Sequence, residues 1–129
     1  MNESKPLILI VEDDEDIQNI YREMIEDNFD VIIQQSYNGQ EGLDAVKKTK
    51  PDFIILDILM PIMNGDEFLN KLRTELLLTD IPVVVCSVNQ TLAGQLLSQK
   101  KANAILPKLF QEEQLIQTIQ EHSSIKLKA

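Results

Sequence analysis

The chain has 129 residues, 43% of them hydrophobic, which suits one domain with a real core. Its net charge of −9 and pI near 4.5 would repel a nucleic-acid backbone, and no local basic patch interrupts the acidity, so direct DNA binding is not expected. The single cysteine, Cys86, lies inside the apolar run Val83-Val84-Val85-Cys86; it permits no disulfide framework and reads as a small buried thiol in a reducing compartment.

In chain order, Met1 to Pro6 is polar, and the apolar run after it is far shorter than a spanning helix or a signal core, so a soluble cytoplasmic protein is expected. Leu7-Ile8-Leu9-Ile10-Val11 is a continuous apolar run suited to a strand covered on both faces, and it ends in Glu12-Asp13-Asp14-Glu15-Asp16. Ile17, Ile20, Tyr21, Met24 and Ile25 then recur at the spacing of one helix face. Val31-Ile32-Ile33 makes a second short strand, and Asn38-Gly39 opens a helix with Leu43, Ala45 and Val46 inward, closed by Pro51. Phe53-Ile54-Ile55-Leu56 is a third buried strand that stops on Asp57, followed by the turn residues Met60-Pro61 and Asn64-Gly65. Phe68, Leu69 and Leu72 mark a helix from Asp66 towards Leu76-Leu77-Leu78. Val83 to Ser87 is a fourth strand. Leu92, Leu96 and Leu97 mark a short helix whose polar face carries Gln90, Gln95, Gln99 and Lys100, Ala104-Ile105-Leu106 a fifth strand, and Leu115, Ile116 and Ile119 a final helix opening on Gln111-Glu112-Glu113.

Strands alternating with helices in this way call for a parallel sheet with helices on both faces, because parallel strands need right-handed crossovers. In such doubly wound folds, ligands bind outside the carboxyl ends of the strands. The residues at those ends are Glu12-Asp13, Asp57, Ser87 and Lys108. Taken singly, each has an ordinary account: Asp57 as a turn or capping carboxylate, Glu12 and Asp13 as helix-start acids, Ser87 as a turn hydroxyl, Lys108 as a solvated surface lysine. Together they converge. Crowded carboxylates resist ionisation unless a cation neutralises them, and an all-oxygen set of few ligands suits Mg²⁺ better than Ca²⁺. A carboxylate, a hydroxyl, an amine and a hard cation are what phosphoryl transfer onto Asp57 requires. Asp14, Glu15 and Asp16 fit the helix N-terminus instead, and His122 reads as an exposed surface histidine.

Along essentially its whole length the chain resembles a receiver domain of the two-component response regulators. The resemblance is carried by the first strand with Glu12-Asp13, the pattern Asp57-x-x-Met60-Pro61-x-Met63-x-Gly65, Ser87 after a valine run, and Lys108. It implies a flavodoxin-like five-stranded sheet of order 2-1-3-4-5 and a single receiver domain over residues 1–129 with no output domain. It also implies that Asp57 is the phosphoacceptor, that Asp13 and Asp57 ligate Mg²⁺ directly, Glu12 mostly through water and Leu59 by its backbone carbonyl, and that Ser87 and Lys108 contact the phosphoryl group. The implied partners are a histidine kinase or histidine phosphotransfer protein and a downstream protein target, without nucleic acid or membrane. The chain would be a phosphoacceptor with only self-directed phosphotransfer and slow autodephosphorylation rather than an enzyme.

Four positions depart from the family pattern. Lys108 is followed by Leu109 and preceded by Pro107, and a non-proline cis bond costs about 2.5–4 kcal/mol, so no cis junction is expected there. Ile105 replaces the usual switching aromatic, while Val88 and Leu59 place apolar side chains near the acceptor, where they are expected to hinder an attacking water and prolong the acyl phosphate. The interval from Ser87 to Lys108 is also about a residue shorter than usual, which draws attention to the fourth helix. Ile105 and Leu109 motivate a rival reading, a phosphorylation-independent interaction module. A flavodoxin is disfavoured because Glu12 to Asp16 would repel a phosphate, and a haloacid-dehalogenase-type phosphatase because Asp14-Glu15-Asp16 lies past the first strand.

Overall fold

The computed structural model describes residues 5–60, 62–108 and 110–128. The strands are β1 (Leu7–Val11), β2 (Ile32–Ser36), β3 (Phe53–Leu56), β4 (Val83–Ser87) and β5 (Ala104–Pro107), and the helices α1 (Glu15–Asn28), α2 (Gly39–Lys48), α3 (Gly65–Asn70), α4 (Gln90–Ser98) and α5 (Glu112–His122). All strand pairings within the sheet are parallel, in the order β2-β1-β3-β4-β5. β1, β3 and β4 are central, which is why they read as unbroken apolar runs; alternate residues enter two different cores. Leu9, Val11, Ile54, Leu56, Val83 and Val85 pack towards α2, α3 and α4. Ile8, Ile10, Phe53, Ile55, Val84 and Cys86 pack towards α1 and α5. Pro107 is tolerated in β5 because that strand is an edge.

Helix starts follow local chemistry. Asp14, Asn38, Asn64 and Asn89 each cap the helix that follows by accepting a hydrogen bond from a first-turn backbone N–H. The α4 region that the short Ser87–Lys108 interval drew attention to is a nine-residue helix.

Several local expectations are corrected. β2 runs on to Gln34, Gln35 and Ser36, because pairing with β1 rather than its own polarity extends it. In α1 the buried stripe is Gln18, Tyr21 and Ile25, whereas Ile20 is exposed; in α4, Ala93 and Leu96 point inward and Leu97 outward. Gly65 does not take a positive φ. It starts α3, and a Cβ there would collide with the Asp57 carbonyl and come within 2.8 Å of the Ile58 Cα. The left-handed residue of that loop is Ile62, at φ 67°, a conformation that disfavours a β-branched side chain by roughly 1–2 kcal/mol. Pro61, assigned to the same turn, lies outside the described residues.

α3 continues into a π-helical turn, Lys71–Glu75, in which the Leu76 N–H donates to the Lys71 carbonyl at 3.0 Å. Buried Arg73 holds this turn: its guanidinium donates to the Lys101 carbonyl at 3.0 Å, the Leu78 carbonyl at 2.8 Å and Asn103 Oδ1 at 3.1 Å. Beyond α5 the chain returns to the end of α1, burying Ile125 and pairing Leu127 with Phe29. Among the described residues no helix is long and apolar enough to cross a membrane.

Candidate functional site

The carboxyl edge of the sheet gathers the predicted side chains because β1, β3, β4 and β5 are consecutive neighbours and end together. Glu12 follows β1 directly, and its backbone N–H donates to the Ser36 carbonyl at the end of β2 at 3.0 Å. Its Oε2 accepts from the Asp14 N–H at 3.1 Å. Asp57 follows β3, with its N–H donating to the Val11 carbonyl at 3.0 Å. Both acids are almost inaccessible, Glu12 at 1% and Asp57 at 4% exposure. Lys108, just past β5, reaches between them: Nζ lies 3.0 Å from Glu12 Oε1 and 3.3 Å from Asp57 Oδ2, with its side chain 19% exposed. Asp13 is exposed at the mouth, and Glu12, Asp13 and Asp57 each present an oxygen within 4.8 Å of the others.

The charges do not balance. Burial raises Glu12 to about 7, opposed by Lys108 and the Asp14 N–H, and burial likewise raises Asp57 against the pull of Lys108. Burial alone would lower Lys108, but its contacts with Glu12 and Asp57 outweigh that and hold the amine above its ordinary value. Among the described residues, Glu12 Oε1 and Asp57 Oδ2, the two oxygens facing Nζ, are buried and make no well-aligned hydrogen bond; their partner there is the Lys108 ammonium. Three carboxylates, one ammonium and two under-satisfied buried oxygens form an all-oxygen donor set short of positive charge. That set fits a hard divalent ion such as Mg²⁺.

This imbalance carries a pH signature. The folded chain holds the Glu12 proton to higher pH than the unfolded chain does, so the folded state is favoured below about 4.5 and that advantage is lost as pH rises to about 7. In Mg²⁺-free buffer the stability of the protein relative to Glu12→Gln is expected to fall across that window, by on the order of 3 kcal/mol. Urea midpoints of both proteins at the two ends of the window measure this. A constant difference would mean that Glu12 is not strained by burial.

The remaining candidates fall less centrally. Ser87 ends β4 fully buried, but its Oγ accepts from the Asn89 N–H at 3.0 Å and makes no hydrogen bond to Asp57, Glu12 or Lys108 among the described residues. Its carbonyl accepts from the Lys108 N–H at 3.3 Å, which ties β4 to the start of the lysine loop. Leu59 and Val88 project their side chains outward, at 55% and 70% exposure. Ile105 is half-buried against the α2–α4 side of the sheet, and His122 is exposed. The Lys108–Leu109 junction lies outside the described residues. Gln18, which hydrophobic patterning does not single out, is fully buried beneath the acidic loop. Its interval to Tyr21 and Ile25 was the available signal, masked by its polarity.

The model of the response regulator receiver domain matches residues 8–120. The hybrid signal transduction histidine kinase D of Dictyostelium discoideum is 29% identical over 115 residues, which are 88% of this chain and 7% of that protein. The response regulator MprA of Mycolicibacterium vanbaalenii is 31% identical over 113 residues, 84% of this chain and 46% of that protein. The chain thus spans less than half the length of either relative. A crystal structure of a sensor protein from Polaromonas sp. superposes with a TM-score of 0.82 at 25% identity, covering 91% of this chain and 94% of that one.

Proposed function

The chain belongs to the response regulator receiver domain family, and from that premise we propose that it is a phosphorylation-dependent signalling module whose phosphoacceptor is Asp57. The observation that carries the reading is the buried Asp57 carboxylate, 3.3 Å from the Lys108 amine and grouped with Glu12 and Asp13. The donor is a phosphohistidine on a histidine kinase or histidine phosphotransfer protein. An Asp57 oxygen forms the new bond to phosphorus while the P–N bond breaks, and the electron pair leaves with the imidazole nitrogen, which takes a proton from solvent. Lys108 then neutralises a phosphoryl oxygen as a point charge, and the Ser87 hydroxyl, whose proton is not committed to another acceptor among the described residues, donates to a second. Glu12, Asp13, Asp57 and the Leu59 carbonyl are the residues that would hold Mg²⁺. When bound, the ion supplies charge neutralisation at the phosphoryl oxygens.

Phosphorylation adds nearly two negative charges where Glu12 and Asp57 now share one lysine. Recruiting Lys108 and Ser87 to the new oxygens redraws the ends of β4 and β5, and a downstream protein reads the surface beyond them. We place this activity in the cytoplasm, with loss of the phosphoryl group slow and self-directed. Intact-mass measurement after incubation with acetyl phosphate tests the proposal: a single phosphoryl adduct that requires Mg²⁺ is expected, and no adduct at saturating donor and Mg²⁺ would overturn it.

The exposed apolar side chains of Leu59 and Val88 enter the same proposal as a barrier to water at the acyl phosphate. Leu59→Asn, which puts a water-binding amide there, is expected to shorten the lifetime of the adduct severalfold, read by the time course of label loss. An unchanged lifetime would remove Leu59 from that role.

A further inference from the structure

We infer that Gln18 is a positioning residue for the acidic site, its buried amide holding the loop of Glu12 and Asp13 in place against the mutual repulsion of the carboxylates. Gln18 is fully buried in the first turns of α1. Its Nε2 donates towards three carbonyl oxygens: Ile10 within β1 at 3.0 Å, Glu12 at 3.2 Å, and Ser36 at the end of β2 at 2.7 Å. Three acceptors around one atom require that atom to be the nitrogen, so the orientation of the amide follows from its surroundings.

The Ser36 carbonyl also accepts the Glu12 N–H, at 3.0 Å. Glu12 is therefore held through both its backbone groups, by Ser36 at the N–H and by Gln18 at the carbonyl, while its own Oε2 fixes the Asp14 N–H at 3.1 Å. A loop restrained in this way cannot drift outward to separate Glu12 and Asp13 from Asp57, although repulsion among those acids favours such drift. The other side of the amide supports the assignment: Gln18 Oε1 is buried with no hydrogen-bond partner among the described residues. A residue present only to fill space would avoid that cost, since an apolar side chain of similar volume packs without it. Gln18 thus supplies a preformed geometry for the oxygens that would take the cation.

This inference rests on the proposed Mg²⁺ site, and two measurements on the intact protein separate the two claims. In Gln18→Met, which keeps the volume and loses the donors, calorimetric titration is expected to show Mg²⁺ binding weakened at least fivefold. Ile119→Val, a core change in α5 remote from the loop, serves as a control for general loss of stability and is expected to keep the affinity of the parent. In metal-free protein, amide hydrogen exchange at Glu12 and Asp14 is expected to accelerate at least tenfold in Gln18→Met while the β3 and β4 amides stay protected. If Gln18→Met fails to fold, Gln18→Asn, whose shorter side chain withdraws the amide from the loop, takes its place. Unchanged exchange at Glu12 and Asp14, or a Mg²⁺ affinity within twofold of the parent, would overturn the positioning role. Failure of the parent protein itself to bind Mg²⁺ would overturn the proposed function instead, and the exchange measurement would still decide the role of Gln18.

Discussion

Asp57→Asn is expected to abolish the phosphoryl adduct and, in Mg²⁺-free buffer, to make the protein more stable. Asparagine keeps the shape but has no anionic oxygen to attack phosphorus, so the acceptor is lost without a cavity. The gain in stability follows from the electrostatics. Burial holds the Asp57 carboxyl above its ordinary range despite Lys108 and the Ile58 N–H, which means that the folded site disfavours its charge. Removing that charge relieves the desolvation cost while Lys108 keeps its pairing with Glu12, so a modest net gain is expected. Intact mass reads the first effect and urea unfolding in chelator the second. An adduct that persists in Asp57→Asn would move the acceptor elsewhere; a large loss of metal-free stability would mean that the Lys108 pair outweighs the repulsion.

Lys108→Met is expected to act in the opposite sense. The ammonium is the only positive group within 4.0 Å of Glu12 Oε1 and Asp57 Oδ2 among the described residues, and its removal leaves two buried carboxylates facing each other. Breaking a buried pair from one side costs about 3–5 kcal/mol, blunted here because Glu12 can take up a proton near neutrality; a loss of about 2–3 kcal/mol is expected in chelator at pH 7. The same change should tighten Mg²⁺ binding by roughly tenfold, since the amine and the cation compete for the same two oxygens. Stability should therefore recover when Mg²⁺ is added. Weaker Mg²⁺ binding in Lys108→Met, measured by calorimetric titration, would show that the lysine assembles the site rather than competing for it.

Where local pattern carries the information, the fold was legible. β1, β3 and β4 are continuous apolar runs because neighbours cover both their faces, and each stops on the polar residue that the site uses or sits beside. Asp14 and Asn38, at the predicted helix starts, cap helices through hydrogen bonds to residues three further on, an interaction contained in a few consecutive residues. Edges and flanks were less legible. Gln34 and Gln35 belong to β2 only because β1 supplies the partner backbone, and Ile20 is exposed because the inward direction of α1 is set by the sheet beneath it. Local pattern makes Gly65 a turn glycine, whereas its role is close approach to the Asp57 carbonyl, a contact that spacing along the chain does not reveal. Ile62 in the left-handed region runs against its own preference, so no local rule would have placed it there.

By itself the sequence determined the alternation of strands and helices, the covering of the sheet on both faces, and the identities of Glu12, Asp13, Asp57 and Lys108 as strand-end residues, because hydrophobic periodicity and abrupt polar stops are local properties of the chain. Only the tertiary structure decided that Lys108 lies 3.0 Å from Glu12 and 3.3 Å from Asp57, and that the buried Gln18 amide reaches the Ser36 carbonyl at the end of β2 at 2.7 Å. The contacts of Lys108 with Glu12 and Asp57, and of Gln18 with Ser36, join residues from separate crossovers of the sheet. Their distances, and the burial that shifts their charges, exist only once parallel pairing has brought those strand ends side by side.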